Sequence, residues 1–328
     1  MENSRRQRIA ELVGANLFVE QFGWKLRNTA NVDWACIDPS IHGKKKEAKH
    51  SHPTDACYRY IDPYEGIPSY VIVDFKSYGA DSITTSNVES YLKKLAEVVR
   101  CAPKSETFQK LYTGSDTDYN VQGLLFIYNH DDKFGKHFDD ILDSMSCCSL
   151  NIARNQHVLV MGPSDVRFFD TMVKDIKSDR TSFVDLSNLR FFAPDLETEP
   201  VKGLKFGPLT LRMLVSPWII VSPQGDNPSL FIVYYRDSGT TSDEFLWLID
   251  HLITFQLLSD HNAIQIRGVS PHADAVVRFN EARTRYCEEY HGLTELSKIE
   301  FGKRLEKITF RSVNIGYSKI SEIEVGLD

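Results

Sequence analysis

No apolar run in this sequence is long enough to cross a bilayer; LLFIY at 124–128 is typical of the longest, against the roughly 20 residues that a spanning helix needs. The N-terminus MENSRRQRIAEL does not place an apolar stretch after a basic tip, so no secretory leader is expected. Cysteine is sparse. Cys36, Cys57, Cys101, Cys147, Cys148 and Cys287 form no CxxC pair, and a chain of 328 residues folds without disulfide staples, so a reducing, cytoplasmic setting is expected. The G-x-x-x-x-G-K-[ST] phosphate loop, the G-x-G-x-x-G dinucleotide fingerprint and the G-x-S-x-G nucleophile elbow are all absent, which disfavours P-loop ATPases, Rossmann dehydrogenases and α/β-hydrolases. A positive charge surplus is also missing. Lys and Arg total 38 against 45 Asp and Glu, a formal net charge of -7, which argues against a protein that coats nucleic acid by bulk electrostatics. An acidic site inside a locally basic groove remains compatible with that balance.

What the chain does have is enough apolar material, 42% hydrophobic residues, for one large or two ordinary cores. Two domains are expected, 1–200 and 201–328, with the break near the Pro-, Gly- and charge-rich FAPDLETEPVKGLKFGP at 192–208. Apolar spacing predicts a helix from about Arg8 to Phe22, stopped by Gly23. DACYRYID at 55–62 and SYVIVDFKSY at 69–78 read as strands joined by the turn PYEGIP. A helix capped by Thr84–Ser86 follows, and then VQGLLFIYNH at 121–130, apolar enough for a strand buried on both faces. FDDILDSMSCCSLNIAR reads as a helix, and QHVLVMGPSDVRFFDTMVKDIK as a strand, a turn and a helix. In the second half, LRMLVSPWIIVSP, SLFIVYYRD and AIQIRGVSP read as strands, SDEFLWLIDHLITFQLL and ADAVVRFNEARTRYCEEYH as helices, and the last stretch as strand-like. The pattern predicts an α/β fold: a central mixed β-sheet flanked by helices, with a second, smaller C-terminal α/β domain.

The chemistry gathers at VIVDFKSY. Asp74 and Lys76 are two apart on one strand and so emerge on the same face. A carboxylate and a cation directly after a run of β-branched core residues call for a partner or a metal. Phosphodiester hydrolysis uses carboxylate-held divalent ions in this way, with a lysine orienting water or stabilising developing charge. A hairpin through PYEGIP would bring Asp55 beside Asp74, and Glu20, on the helix before the sheet, is the third carboxylate in reach. Asp62 is the fallback for Asp55.

These residues resemble the PD-(D/E)XK (restriction-endonuclease-like) superfamily: an acidic residue on a first helix, an aspartate on a second strand, (D/E)-x-K on a third, then a helix. The resemblance spans about residues 8–170 and lacks the literal Pro-Asp pair, since Thr54 separates Pro53 from Asp55. It implies a metal-dependent nuclease acting on DNA. Glu20, Asp55, Asp74 and the Phe75 carbonyl would hold Mg²⁺ or Mn²⁺, Asp55, Asp74 and Lys76 would form the catalytic set, and Lys76 would position the attacking water.

The basic segment GKKKEAKHSH at 43–52 is the expected nucleic-acid contact through Lys44, Lys45, Lys46 and Lys49, with Ser77 near a phosphate. His42, His50 and His52 with Cys36 and Cys57 are an alternative zinc set, though the spacing matches no standard finger. Residues 201–328 are expected to bind a protein partner or a second copy. A nuclease with such an accessory half resembles bacterial anti-phage effectors in architecture. The alternative reading is a catalytically inactive nuclease-like scaffold or nucleic-acid-sensing subunit.

Overall fold

The computed structural model describes residues 2–27, 31–42, 50–145, 150, 152–186, 189–193, 206–224, 229–289 and 295–314. The chain divides into two compact units, one built on Met1–Phe169 and the other on Asp170–Gly316.

In the first unit the strands are β1 (Lys25–Arg27), β2 (Val32–Ala35), β3 (Ser51–Thr54), β4 (Ala56–Ile61), β5 (Pro68–Tyr78), β6 (Asn120–Asn129) and β7 (Val158–Met161). The helices are α1 (Glu2–Ala15), α2 (Pro39–His42), α3 (Thr85–Cys101), α4 (Glu106–Phe108), α5 (Phe138–Asp143) and α6 (Pro163–Ser178), the last running across the division. Five strands form one sheet in the order β1-β4-β5-β6-β7, while β2 and β3 make a separate hairpin. Pairing is antiparallel from β1 to β5 and parallel from β5 to β7. The sheet is therefore mixed, with α3 as the crossover that a parallel β5–β6 pair requires.

The predicted elements appear for identifiable reasons. Between β4 and β5 the chain turns where Gly66 adopts φ +71° and the Asp62 carboxylate accepts the Tyr64 N–H at 2.8 Å. Thr84 caps α3, its hydroxyl accepting from the Asn87 N–H at 3.3 Å. Side chains of β5 alternate. Tyr70 and Ile72 join Leu92, Leu95 and Val99 of α3 in one core, while Phe75 points to the other face against Phe18, 6.2 Å between ring centroids. The first helix is longer and less regular than its spacing predicts: α1 gives way to a wider π-helical turn at Asn16–Gln21. The helix expected from FDDILDSMSCCSLNIAR is confined among the described residues to α5.

The second unit contains β8 (Arg190–Phe192), β9 (Phe206–Gly207), β10 (Trp218–Ser222), β11 (Leu230–Tyr235), β12 (Ala263–Val269) and β13 (Ile308–Val313), with helices α7 (Ser242–Thr254), α8 (Ala275–Glu289) and α9 (Glu295–Glu306). Its sheet runs β13-β12-β11-β10-β8-β9. LRMLVSPWIIVSP is not one strand: Leu211–Val215 is a 3₁₀ turn capped by Thr210, and strand geometry begins only after Pro217. The helix α9 has no clear periodic signal in the sequence. From β8 through β10, β11, β12 and β13 the pairings are antiparallel, antiparallel, parallel and parallel. That is the same series as β1, β4, β5, β6 and β7, so the second unit repeats the pairing plan of the first without a visible sequence repeat. None of the helices searched among the described residues is long and apolar enough to cross a membrane.

One buried ion network holds the second sheet to the C-terminal half of α6. Arg267 of β12 is fully buried. It donates to Asp175 at 2.5 Å and to Asp179 at 2.5 Å, while Tyr234 and Arg311 also donate to Asp175. Breaking such a network by removing one charge strands the other in a dry site. Asp175→Ala is expected to lower unfolding stability by about 3–5 kcal/mol in urea denaturation.

Candidate active site

The β4–β5 register places Ala56 opposite Val73, so the next residues outward, Asp55 and Asp74, face each other across the strands. Asp55 sits in the bend between β3 and β4, and its Oδ2 accepts the Phe75 backbone N–H at 2.9 Å. Thus a side chain continues the ladder where main-chain pairing stops. Along β5 the cover changes at the same level: Ser69 to Val73 are buried, whereas Asp74 and Lys76 are half-buried on either side of buried Phe75. The Lys76 ammonium is ion-paired with Asp74 and lies 5.3 Å from the Tyr91 ring centroid. Tyr91 stacks on Tyr78 and accepts its O–H at 2.7 Å.

Burial, then the Asp74 charge, pushes the Asp55 carboxyl up to about 6, with the Phe75 N–H and Lys76 opposing the rise. Two carboxylates forced together at neutral pH form an electrostatic deficit that a cation relieves. Their hard oxygen donors suit Mg²⁺ or Mn²⁺ rather than a thiophilic metal. The donor set therefore fits the divalent ion implied by the resemblance.

Glu20 is exposed on Asn16–Gln21, and among the described residues it does not join Asp55 and Asp74 in a set whose ligand atoms all lie within 4.8 Å of one another. The Ser77 hydroxyl is 3.3 Å from His130 Nδ1. Asp62 is a turn residue at the far end of β4. Lys44, Lys45, Lys46 and Lys49 lie outside the described residues. Tyr91 and His130 border the site without being singled out by any spacing, because they arrive from α3 and from the end of β6, far along the chain.

At the corresponding place in the second unit, Trp218 pairs with Tyr235, and the next residues outward are Pro217 and Arg236, whose N–H donates to the Pro217 carbonyl at 2.9 Å. The facing carboxylates of the first unit have no counterpart there.

In metal-free protein, Asp55 is harder to ionise folded than unfolded. Its contribution to stability is therefore present at low pH and lost as pH rises from about 4 to about 6. Asp55→Asn in EDTA is expected to gain stability over the unaltered chain through that window, by about 3 kcal/mol, and then level off above it, read by urea unfolding at a series of pH values.

Searches of curated proteins and of solved structures found no match. A family model described as the GAPS4 protein PD-(D/E)XK nuclease domain matches residues 1–165. This span contains the whole first sheet, Asp55, Asp74 and Lys76. The chain belongs to the family of GAPS4 protein PD-(D/E)XK nuclease domains.

Proposed function

We propose that the chain is a metal-dependent nuclease hydrolysing phosphodiester bonds of DNA, with Asp55, Asp74 and Lys76 as its catalytic set. The observation that carries this reading is the pair of facing carboxylates beside Lys76 at the end of β5, inside the span matched to a nuclease family. Asp55 and Asp74 would hold Mg²⁺ or Mn²⁺ together with the Phe75 carbonyl; Glu20, which does not group with them within 4.8 Å, would have to turn in from the first helix to complete the set. Such an ion, when bound, polarises the phosphate and lowers the pKa of the attacking water. Lys76, steadied by Asp74 and the Tyr91 ring, orients that water and offsets charge on the phosphate. Ser77 and the lysines of 43–49 supply phosphate contacts.

The second unit supports a partner or homo-oligomer role, since Trp247 on α7 is 73% exposed and large aromatics concentrate at protein interfaces. A nuclease unit joined to such a unit has the architecture of effectors that degrade invading DNA in the bacterial cytoplasm. On that analogy we assign an anti-phage role. The position of Glu20 favours one alternative, a catalytically silent scaffold, because the third carboxylate does not converge on the other two.

Incubation with supercoiled plasmid, linear duplex, single-stranded DNA and RNA in Mg²⁺, Mn²⁺ or EDTA tests the reading. Cleavage is expected to require metal and to fall about 10²- to 10³-fold in Asp74→Ala and Lys76→Ala; cleavage that persists in both variants would assign it to another site. Replacing Lys44, Lys45, Lys46 and Lys49 with Ala is expected to weaken DNA binding at every sequence. The salt dependence of log K should shrink by up to about 0.9 for each phosphate that is no longer neutralised, measured by titration at several salt concentrations.

A further inference from the structure

The hairpin β2–β3 and the end of α3 bring together a second set of ligating side chains, remote in kind from the carboxylates. Cys36 follows β2, His42 ends α2, His52 lies on β3 and Cys101 closes α3. One ligand atom from each lies within 4.8 Å of all the others. His42 Nδ1 is 3.4 Å from the Cys36 sulfur and 3.2 Å from the Cys101 sulfur, and the two sulfurs are 3.9 Å apart. A tetrahedral zinc with Zn–S of about 2.3 Å and Zn–N of about 2.05 Å has S···S edges of about 3.8 Å and S···N edges of about 3.5 Å. The three measured edges match those lengths to within a few tenths of an ångström. The sulfurs are far beyond disulfide bonding distance, and both cysteines are free.

Two further observations point to a ligand. His52 is only 3% exposed, yet its Nε2 has no hydrogen-bond partner among the described residues, although buried polar atoms are almost always satisfied. The sulfurs also receive backbone N–H groups, from Asp38 to Cys36 at 3.3 Å and from Ile37 to Cys101. Such outer hydrogen bonds orient sulfur ligands around a metal.

We propose that Cys36, His42, His52 and Cys101 form a structural zinc site. Four protein ligands leave no open position, which separates a structural zinc from a catalytic one. The set differs from the sequence-based grouping in two places: Cys57 is buried on β4 and Cys101 takes its role, while His50 only borders His52, 5.1 Å between ring centroids. A two-stranded hairpin of four residues per strand is marginal alone. The metal adds to its existing ties, the Ser105 hydroxyl donating to the Ala35 carbonyl at 2.9 Å and the Ala35 N–H donating to Thr107 at 3.0 Å. His42 and His52 also flank, in sequence, the segment carrying Lys44, Lys45, Lys46 and Lys49, so zinc fixes a residue on either side of the proposed DNA-contacting stretch. Soft sulfur donors here and hard oxygen donors at Asp55 and Asp74 keep two metals apart by chemistry.

The test is independent of nuclease activity. The full chain, purified without chelators from zinc-supplemented cells, is expected to carry one zinc per chain by elemental analysis. X-ray absorption should show a mixed sulfur and nitrogen shell, and Co²⁺ substituted for zinc should show the visible bands of tetrahedral thiolate coordination. Asp74→Ala should keep the zinc, while Cys101→Ser and His52→Ala should lose it. The proposal is overturned if the unaltered protein holds no zinc as purified or after zinc addition. It is equally overturned if the bound zinc has a shell of oxygen and nitrogen alone, or if Cys101→Ser retains full stoichiometry.

Discussion

Strand β5 is hydrogen-bonded on both flanks and covered on both faces, and the place where that cover ends decides where charge can stand. From Ser69 to Val73 the strand is dry, so a carboxylate there would be prohibitively desolvated. One residue further, the antiparallel partner bends away at Asp55 and the strand opens. Asp74 and Lys76 occupy that opening on one face, while Phe75 between them stays in the core of the other. The parallel β6 and its crossover α3 then bring Tyr91 to the same level. The site is the consequence of a central strand running out of its shelter.

The two units treat buried acid in opposite ways. Around Asp175, two arginines and a tyrosine neutralise and saturate the carboxylate, and Asp179 is held well below the usual carboxylate range by hydroxyl, backbone and Arg267 donors despite its desolvation. Around Asp55, burial and the Asp74 charge outweigh the Phe75 N–H and Lys76, and the balance tips the other way, raising its pKa. The first arrangement is closed and needs nothing from outside. The second carries a concentration of negative charge that a cation would offset.

Local signals made most of the first unit legible. Apolar alternation and turn chemistry located β4, β5 and α3, and a same-face spacing of two placed Asp74 beside Lys76. The antiparallel hairpin then made Asp55 the natural partner, and the structure sets it opposite Asp74. Helix packing points to Glu20, but it fixes a helix against a sheet and not the direction of an exposed side chain. The nearness of Cys101 to Cys36 is hidden for a different reason: sixty-five residues separate the two, and no local pattern reports a contact closed by the end of a crossover helix. In the second half, Pro217 outweighed β-propensity around Leu211–Val215. The repeated pairing plan was invisible because strand order is a property of the sheet and leaves no trace in residue spacing.

At Gly14 on α1 a Cβ would run into the Phe75 ring, so only glycine lets the helix lie this close to it. Phe18 lies against the same ring, one turn further on. Since Phe75 is the middle residue of the Asp-Phe-Lys triplet, a sideways push on that ring would roll the strand about its own axis. Asp74 and Lys76 would then swing together, in the opposite sense. The first helix thus backs the Asp-Phe-Lys triplet, and the direction in which carboxylate and ammonium leave the strand is set as much from behind the sheet as from within the site.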